Sequence, residues 1–347
     1  MKLSLLIKPA SSSCPGDCSY CFYKDTAEKR KVNNRGIMSQ STLDILLEKA
    51  FFRTEELTLA FQGGEPLLAG MEFYEYAFEK IKKKNKKSIP VYISLQTSGR
   101  GMTEEFAHIL QKNGVLCGVS LDGRAPLNDK YRGTGSHKAA TSAIEMLKGA
   151  GCEVNVLAVV TRDSCKRGGA IYDYFRSLGV DYAQFIPCMY TDRDPDAVPD
   201  SGEYMNFLCD VFDLWARDIK QNDHLGVRMF DGLLDKLCGY PSEACGSMGV
   251  CGSYLTVEAD GDVYPCDFYC DDGHLLGNIR THSVSELLDG GRAFTEESLL
   301  LHPDCRECRY YALCRGDCKK LRKDGKYIYC TAIKGFLQRK LKILETI

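Results

Sequence analysis

The sequence predicts an α/β protein, with a partial (β/α)6 barrel in residues 1–225 and a smaller cysteine-rich domain in residues 226–347. Short apolar strands alternate with amphipathic helices over the first two thirds, which is typical of parallel strands joined by right-handed crossovers. Six such units are too few to close an eight-stranded barrel. The alternation stops near Ser201, and 347 residues are more than one hydrophobic core usually spans.

The predicted strands are short and rich in β-branched and aromatic residues. They are Leu3–Lys8, Leu57–Phe61, Val91–Gln96, Val115–Ser120, Val154–Val160 and Tyr182–Pro187. The predicted helices are Ser41–Phe52, Met71–Lys83, Glu104–Asn113, Ala139–Gly149, Gly169–Leu178, Gly202–Asn222 and Phe230–Gly239. Asp260-Gly261 indicates a hairpin, and Ser283 with Glu286 has the spacing of a capping box. The remaining C-terminal stretch is short on apolar residues, so we expect it to need metal for stability.

Composition excludes several classes of function. A net charge of -2 gives no reason to expect a nucleic-acid partner, and the basic run Lys80–Lys87 suits the last turn of a helix. The N-terminal apolar run is too short for a signal peptide, and no later run approaches a membrane span, so we expect a cytoplasmic protein without a membrane partner. In a reducing compartment, the 18 cysteines indicate metal sites, clusters or buried thiols rather than disulfides.

Cys14, Cys18 and Cys21 form a C-x3-C-x2-C loop directly after the first predicted strand. Three thiolates on one loop hold three corners of a cubane iron–sulfur cluster and leave one iron open to a small molecule. A zinc site needs a fourth ligand, and this stretch contains no histidine. The spacing resembles the signature of the radical S-adenosylmethionine (SAM) superfamily, which implies a [4Fe–4S] cluster here with SAM on the open iron.

Other positions resemble the same superfamily. The turn Gly63-Gly64-Glu65 after the second strand matches the motif that holds the methionine ammonium group, with glycines for close backbone approach and Glu65 for charge. The resemblance also implies SAM contacts from Ser120, at the end of the fourth strand, and from Tyr20, beside the nucleoside. Arg132 is a candidate partner of the methionine carboxylate.

A second set of cysteines follows in the C-terminal part, and its spacing resembles the SPASM pattern of auxiliary-cluster domains. The resemblance implies two further [4Fe–4S] clusters. One is assigned to Cys245, Cys251, Cys266 and Cys318, and the other to Cys305, Cys308, Cys314 and Cys330. Spacing alone equally allows sequential grouping, and two zinc knuckles remain an alternative. The other cysteines are interpreted as buried or incidental thiols: Cys117, Cys152, Cys165, Cys188, Cys209, Cys238 and Cys270.

The resemblance narrows when longer segments are compared. SLLIKPASS before Cys14, CFY at 21–23, AFQGGEP at 60–66, SLQT at 94–97, SLDG at 120–123, QFIPC at 184–188, FDGLL at 230–234 and VYPCDFY at 263–269 resemble the anaerobic sulfatase-maturating enzymes. These enzymes oxidise a cysteine or serine of a sulfatase to Cα-formylglycine by means of a 5′-deoxyadenosyl radical. The resemblance implies a peptide or protein substrate and a low-potential electron donor such as a flavodoxin or ferredoxin. It also implies that Asp267 is the base and that Gln62 and Tyr23 line the target pocket.

Some positions depart from the family pattern and keep other functions open. Ser98 stands in QTSG where the family has QTNG, and Arg124 and Asn128 replace a proline and a later histidine. A radical enzyme that crosslinks a ribosomal peptide needs the same clusters, although nothing precedes Met1 that recognises a leader, which favours a short-motif substrate. A non-catalytic electron-transfer or zinc scaffold is the alternative from another class. Iron analysis separates it, because three clusters predict about twelve irons per chain.

Overall fold

The structure, a computed structural model, describes residues 1–242 and 244–347. Its centre is a parallel sheet in which each strand pairs with the next along the chain. The strands are β1 Lys2–Ile7, β2 Glu56–Phe61, β3 Val91–Thr97, β4 Val115–Ser120, β5 Val154–Val160, β6 Tyr182–Pro187 and the short β7 Gly226–Val227. The first six begin and end within one residue of the predicted strands, because alternating buried apolar residues mark them in the sequence.

Helices cover the outside of this sheet and continue into the C-terminal part. They are α1 Phe22–Lys29, α2 Gln40–Phe51, α3 Met71–Lys84, α4 Glu104–Lys112, α5 Ala125–Arg132, α6 Ser136–Ala150, α7 Gly168–Ser177, α8 Ser201–Ile219, α9 Arg228–Leu237, α10 Cys245–Met248, α11 Val284–Gly290, α12 Arg292–Ser298, α13 Tyr311–Cys314 and α14 Cys330–Leu344. The predicted capping box is present at α11, where Ser283 accepts from the N–H of Glu286. Sequence analysis missed α1 and α5, both of which are short and mostly polar.

The cysteine-rich part extends the same sheet. Its strands β8 Leu255–Val257, β9 Asp262–Tyr264 and β10 Gly277–Asn278 form an antiparallel meander. Strand β8 pairs in parallel with β1, on the side away from β2. Because β8 takes this edge, β1 does not pair with β6 and the barrel stays open. The predicted partial (β/α)6 barrel with a cysteine-rich C-terminal part is therefore confirmed. A separate ribbon joins β11 Arg322–Lys323 to β12 Lys326–Tyr327.

The C-terminal helix corrects one expectation. Helix α14 packs along α8, and Phe336 contacts Phe212 and Phe230 with ring centroids 5.5 and 5.6 Å apart. Ile333, Phe336 and Leu337 are buried at helical spacing. The expectation that the last stretch is short on apolar residues is therefore wrong for α14.

The carboxyl ends of the parallel strands meet at one edge of the sheet, where barrel enzymes place their functional groups. Lys8, Gln62, Ser98, Asp122 and Cys188 all follow strand ends at this edge. The hairpin of β8 and β9 brings the segment around Asp267 to the same edge through its pairing with β1. In the described residues, no helix is both long and apolar enough to cross a membrane.

Candidate active site

The loop between β1 and α1 carries Cys14, Cys18 and Cys21, all partly buried. Cys21 is the N-cap of α1, and the N–H of Gly16 lies 3.4 Å from Sγ of Cys14. Burial, together with the nearby Glu65, Cys18 and Cys21, raises the pKa of Cys14 to about 11. The thiolate form therefore needs a nearby positive charge, which cluster iron supplies. This three-thiol loop fits the predicted cluster site.

Gly64 brings the turn after β2 against the cysteine loop. Its φ is +55°, and a Cβ at this position would lie 2.3 Å from the carbonyl oxygen of Ser13. Only glycine accommodates this approach. The next N–H, that of Glu65, donates to the same Ser13 oxygen at 2.7 Å. The motif is thus fixed to the loop that carries Cys14.

The carboxylate of Glu65 is fully buried and fully hydrogen-bonded. It accepts from the N–H groups of Leu67 (3.2 Å) and Ser98 (2.8 Å), and from the hydroxyls of Thr97 (2.7 Å) and Ser98. Burial raises the pKa of Glu65, and these donors oppose that shift. Since donors of the protein fill its acceptor positions, Glu65 offers a ligand its negative charge rather than a free hydrogen-bond acceptor. Ser98, a departure from the family pattern, supplies two of the four donors.

Asp122, Arg132 and Tyr20 form one buried cluster at the end of β4. Nε and Nη2 of Arg132 donate to the two Asp122 oxygens at 3.0 and 2.9 Å, and the Tyr20 hydroxyl also donates to Asp122. The guanidinium carbon lies 5.5 Å from the centroid of the Tyr20 ring. Arg132 was expected to pair with the carboxylate of the cofactor, but the structure pairs it with Asp122. The sequence suggests that Arg132 pairs with a carboxylate, but it does not identify which one.

Ser120 lies at the last position of β4 and is partly exposed on the inner face of the barrel. Its hydroxyl accepts from Nε2 of Gln96 at 3.0 Å. Gly118 makes room for Gln96, because a Cβ there would lie 1.9 Å from Oε1. Gln96 of β3 therefore orients the Ser120 hydroxyl. The hydroxyl can still donate one hydrogen bond and accept another from a ligand.

The three predicted catalytic residues lie together in one hydrogen-bond chain. Nε2 of Gln62 donates to the Tyr23 hydroxyl at 2.8 Å, and that hydroxyl donates to Oδ2 of Asp267 at 2.9 Å. Asp267 is only 5% exposed. Because Gln62 follows β2, Tyr23 lies in α1 and Asp267 follows β9, the chain joins the barrel to the cysteine-rich part.

Tyr254 completes this chain, and sequence analysis did not identify it. Its hydroxyl donates to Oδ1 of Asp267 at 2.6 Å and lies 3.3 Å from Sγ of Cys266. Each oxygen of Asp267 therefore has its own tyrosine donor. One tyrosine among 19 carries no spacing signature, so only its place just before β8 offered a hint.

Two cavities separate the C-terminal cysteines into two sets of four. One has about 430 Å³ of space not filled by protein atoms, and the other has about 360 Å³. The first is lined by Cys245, Cys251, Cys266 and Cys318, and the second by Cys305, Cys308, Cys314 and Cys330. This interleaved grouping is the one that the family resemblance implied, whereas sequential grouping would divide the cysteines differently.

The spacing of the thiols fits clusters. Zinc draws its ligands to within about 2.3 Å of one atom. Across residues 1–242 and 244–347, no three His, Cys, Asp or Glu side chains are arranged for a single ion. The cysteine sets instead surround spaces with room for a larger group, and burial raises the pKa of both Cys314 and Cys318 to about 12. Four such thiols around a cavity suit a fully ligated cubane.

The remaining cysteines lie apart from these cavities. Cys117, Cys165, Cys188, Cys209 and Cys270 are buried, Cys152 is partly buried, and Cys238 is exposed. Cys188, which follows β6, is 1% exposed, and its carbonyl accepts from the Tyr329 hydroxyl at 3.1 Å.

A third and larger cavity, with about 1270 Å³ of space that includes open solvent, lies between the barrel and the cysteine-rich part. Gln184 and Ile186 line it from β6, and Cys245 and Phe268 line it from the C-terminal part. Phe268 directly follows Asp267, and Cys245 also belongs to the first cluster cavity. This cavity therefore approaches the Asp267 chain and a cluster cavity at once.

Two family models match the chain. The model of the radical SAM superfamily matches residues 9–163, and that of an iron–sulfur cluster-binding domain, SPASM, matches residues 245–319. The first match contains the C-x3-C-x2-C loop and the Gly63-Gly64-Glu65 turn, and the second begins at Cys245 and ends just after Cys318.

The chain is similar over nearly its whole length to characterised relatives. It is 35% identical to the cysteine-type anaerobic sulfatase-maturating enzyme of Clostridium novyi, over 99% of this chain and 96% of that protein. The cysteine-type enzyme of Clostridium perfringens strain 13 is 36% identical, over 97% and 95%. The serine-type enzyme of Bacteroides thetaiotaomicron is 27% identical, over 92% and 83%.

Solved structures show the same similarity to sulfatase-maturating enzymes. A structure of histidine-tagged anSMEcpe with bound AdoMet has a TM-score of 0.94 and 34% identity, covering 100% of this chain and 95% of that one. The structure of "Native anSMEcpe with bound AdoMet and Cp18Cys peptide" has a TM-score of 0.93 and 33% identity, covering 100% and 98%. The chain therefore belongs to the anaerobic sulfatase-maturating enzymes of the radical SAM superfamily.

Proposed function

We propose that this enzyme oxidises a cysteine, rather than a serine, of a sulfatase peptide to Cα-formylglycine. The observation that carries the proposal is the hydrogen-bond chain around Asp267, which places an oriented carboxylate beside the first C-terminal cluster cavity. The choice of cysteine is supported by similarity, since the chain is 35–36% identical to cysteine-type relatives and 27% identical to a serine-type one.

The cofactor assignment follows the family. Cys14, Cys18 and Cys21 are proposed to hold the cluster that binds SAM, beside Glu65, Ser120 and Tyr20. The cysteine sets of the two C-terminal cavities are proposed to hold two auxiliary [4Fe–4S] clusters. When bound, these groups supply removal of a hydrogen atom from the target β-carbon and acceptance of one electron.

Asp267 is proposed to take the proton of the target thiol. The hydroxyls of Tyr23 and Tyr254 donate to opposite carboxylate oxygens, so the carboxylate is held in one orientation before the peptide arrives. Gln62 donates to Tyr23 and fixes that hydroxyl as a donor toward Asp267. A base must lie within hydrogen-bond reach of the proton it accepts, and the burial of Asp267 keeps bulk water from competing for that position.

The target peptide is proposed to bind in the large cavity between the barrel and the cysteine-rich part. Residues of both parts line this cavity, so a peptide bound there contacts the barrel and the cysteine-rich part together. Phe268 lines it next to Asp267, which supports a path from this cavity to the base. Loss of the β-hydrogen atom, the thiol proton and one electron leaves a thioaldehyde, and water then hydrolyses it to the aldehyde with release of hydrogen sulfide.

A low-potential one-electron donor, such as a flavodoxin or ferredoxin, is the proposed second partner. Cleavage of SAM in this superfamily consumes an electron at the first cluster, and no side chain of the protein supplies one. Turnover with reduced flavodoxin in place of dithionite is the expected result. A chain that turns over with dithionite but with neither carrier would contradict this partner class.

The central experiment compares two peptides that differ at one residue. Under anaerobic conditions with dithionite and SAM, a peptide with a Cys-x-Pro-x-Arg motif is expected to gain the mass of the aldehyde product. The Ser-x-Pro-x-Arg peptide, otherwise identical, is expected to react at least about tenfold more slowly, as befits a ΔΔG‡ of roughly 1.4 kcal/mol. Faster oxidation of the serine peptide overturns the cysteine preference. A crosslinked peptide without an aldehyde overturns the reaction class.

A further inference from the structure

Three charged side chains are buried behind Tyr23 and have no role in the proposed reaction. Lys8 follows β1, Arg30 ends α1, and Glu258 follows β8. Their exposed fractions are 2%, 4% and 0%. Nζ of Lys8 and Nη1 of Arg30 both lie 2.6 Å from Oε1 of Glu258. The group thus ties the barrel to the cysteine-rich part.

The charges of this group do not cancel, which is unexpected if the group only stabilises the fold. It has two cations and one anion, and Oε2 of Glu258 and Nε of Arg30 have no hydrogen-bond partner in the described chain. Burial opposes ionisation of Glu258, but Lys8 and Arg30 lower its pKa to about 2. Replacing buried ion pairs with well-packed apolar residues is often neutral or stabilising. Stability alone therefore does not account for these charges.

The Gly63-Gly64-Glu65 turn leaves room for the side chain of Lys8. The Lys8 stem runs across Gly63, whose φ is +90°. A Cβ at Gly63 would lie 2.6 Å from both Cγ and Cε of Lys8. The first glycine of the motif therefore leaves space for Lys8, whereas Gly64 leaves space for the cysteine loop.

The Lys8 ammonium reaches the face of Tyr23. Nζ lies 5.1 Å from the ring centroid, within range of a cation–π attraction. The hydroxyl at the far end of the same ring accepts from Gln62 and donates to Asp267. The ring of Tyr23 is thus held at its face by Lys8 and at its hydroxyl by the catalytic hydrogen-bond chain.

We propose that Lys8, anchored by Glu258, is a positioning residue that holds the Tyr23 ring and thereby orients the carboxylate of Asp267. This inference rests on the proposed role of Asp267 as the base. Lys8 touches neither the peptide nor a cluster in this assignment, so its loss affects the coupling of SAM cleavage to product formation rather than cleavage itself.

The test uses Lys8→Met, which keeps an unbranched stem over Gly63 and removes the charge. The matched control is Lys2→Met at the first residue of β1, where Nζ pairs with Glu56 and the side chain is 78% exposed. Three quantities are measured in the full chain: iron content, SAM cleavage without peptide, and aldehyde formed per 5′-deoxyadenosine. Lys8→Met is expected to match the control in the first two and to lose at least about tenfold in the third, since small misplacements near a reacting group cost up to about a hundredfold.

A double variant tests whether Lys8 acts through Tyr23. Combined with Tyr23→Phe, Lys8→Met is expected to lower the aldehyde ratio by less than about twofold further, because coupled residues are non-additive. Multiplicative losses, a ratio equal to that of Lys2→Met, or loss of iron or of SAM cleavage would each overturn the proposal. If Lys8→Met does not fold, Glu258→Gln keeps the ammonium and loosens its anchor, and an unchanged ratio in that variant also overturns it.

The two proposals fail separately. Retention of product by Asp267→Asn removes the base and with it the basis for this inference. Loss of product by Asp267→Asn together with control-like behaviour of Lys8→Met removes only the positioning role.

Discussion

At the scale of single residues, the site is organised by what each oxygen of Asp267 accepts. Tyr23 donates to one oxygen and Tyr254 to the other, and Gln62 orients Tyr23. The family resemblance identified Asp267, Gln62 and Tyr23, because each lies in a recognisable motif. Tyr254 lies in no motif, and its role depends on the fold of the hairpin, so the sequence alone could not reveal it.

Replacing Asp267 with asparagine is expected to separate SAM cleavage from product formation. The amide keeps the shape of the side chain but is not a base, so aldehyde is expected to fall by about 10²-fold or more while 5′-deoxyadenosine still forms. Both products are quantified from the same anaerobic reaction. Asp272→Asn, at an exposed position five residues later, is the control. Equal aldehyde from the two variants would remove Asp267 from the base role.

Tyr254→Phe removes one hydrogen bond from Asp267 while keeping the ring. A hydrogen bond to a charged group contributes about 1.5–3 kcal/mol, so aldehyde formation is expected to fall by about 10- to 100-fold. Tyr240→Phe, at a tyrosine that is 67% exposed, is expected to behave as the unaltered enzyme. The rate of aldehyde formation at saturating peptide is the measurement, and a Tyr254→Phe rate equal to that of Tyr240→Phe contradicts the assigned contact.

At the scale of elements, regular strands were predictable and irregular segments were not. Strands β1–β6 carry buried apolar residues in a largely alternating pattern, but α1 and α5 are short and mostly polar and escaped detection. The cysteine loop was located by spacing, because thiols at C-x3-C-x2-C have few alternative explanations. The pairing of Arg132 with Asp122 could not be read in this way, since it depends on how helix α5, which ends at Arg132, packs against the end of β4.

The interleaved cysteine cavities predict how iron is lost. Cys266→Ala removes a ligand of the first cavity and Cys305→Ala a ligand of the second, and each variant is expected to lose about four of about twelve irons. The double variant is expected to lose about eight, because the two residues belong to different cavities. Iron per chain after anaerobic reconstitution is the measurement, with the exposed Cys238→Ala as control.

Pairs within one cavity complete this test. Cys266→Ala combined with Cys318→Ala is expected to lose no more iron than either variant alone, because both line the first cavity. A loss of about eight irons from that pair would favour sequential grouping and contradict the interleaved assignment.

At the scale of the whole molecule, the domain boundary between residues 225 and 226 remains a prediction. The central sheet continues across this boundary. Strand β7 lies just after this point and pairs with β6, and β8 pairs with β1. The sequence showed where the alternation of strands and helices ends. The contacts that join the two parts are long-range and leave no local pattern in the sequence. The two parts therefore share a sheet, an ion group and the active site.

Residues 1–225 expressed alone are expected to be unstable. Removal of the C-terminal part exposes the edge of β1, leaves Lys8 and Arg30 without Glu258, and uncovers the face of α8 that packs on α14. An unpaired buried charge alone costs about 3–5 kcal/mol, a large share of the stability of a domain. Solubility and thermal unfolding are the measurements, and a chain ending at Leu344 is the control. A soluble fragment with a cooperative transition would show that the barrel folds independently.

The proposed reaction begins with removal of a hydrogen atom from the β-carbon of a peptide cysteine. A Cys-x-Pro-x-Arg peptide deuterated at that carbon tests this step when the mass of the 5′-deoxyadenosine formed is followed over time. Deuterium is expected to appear in 5′-deoxyadenosine in step with aldehyde. Aldehyde formed while 5′-deoxyadenosine stays free of deuterium would contradict the reaction.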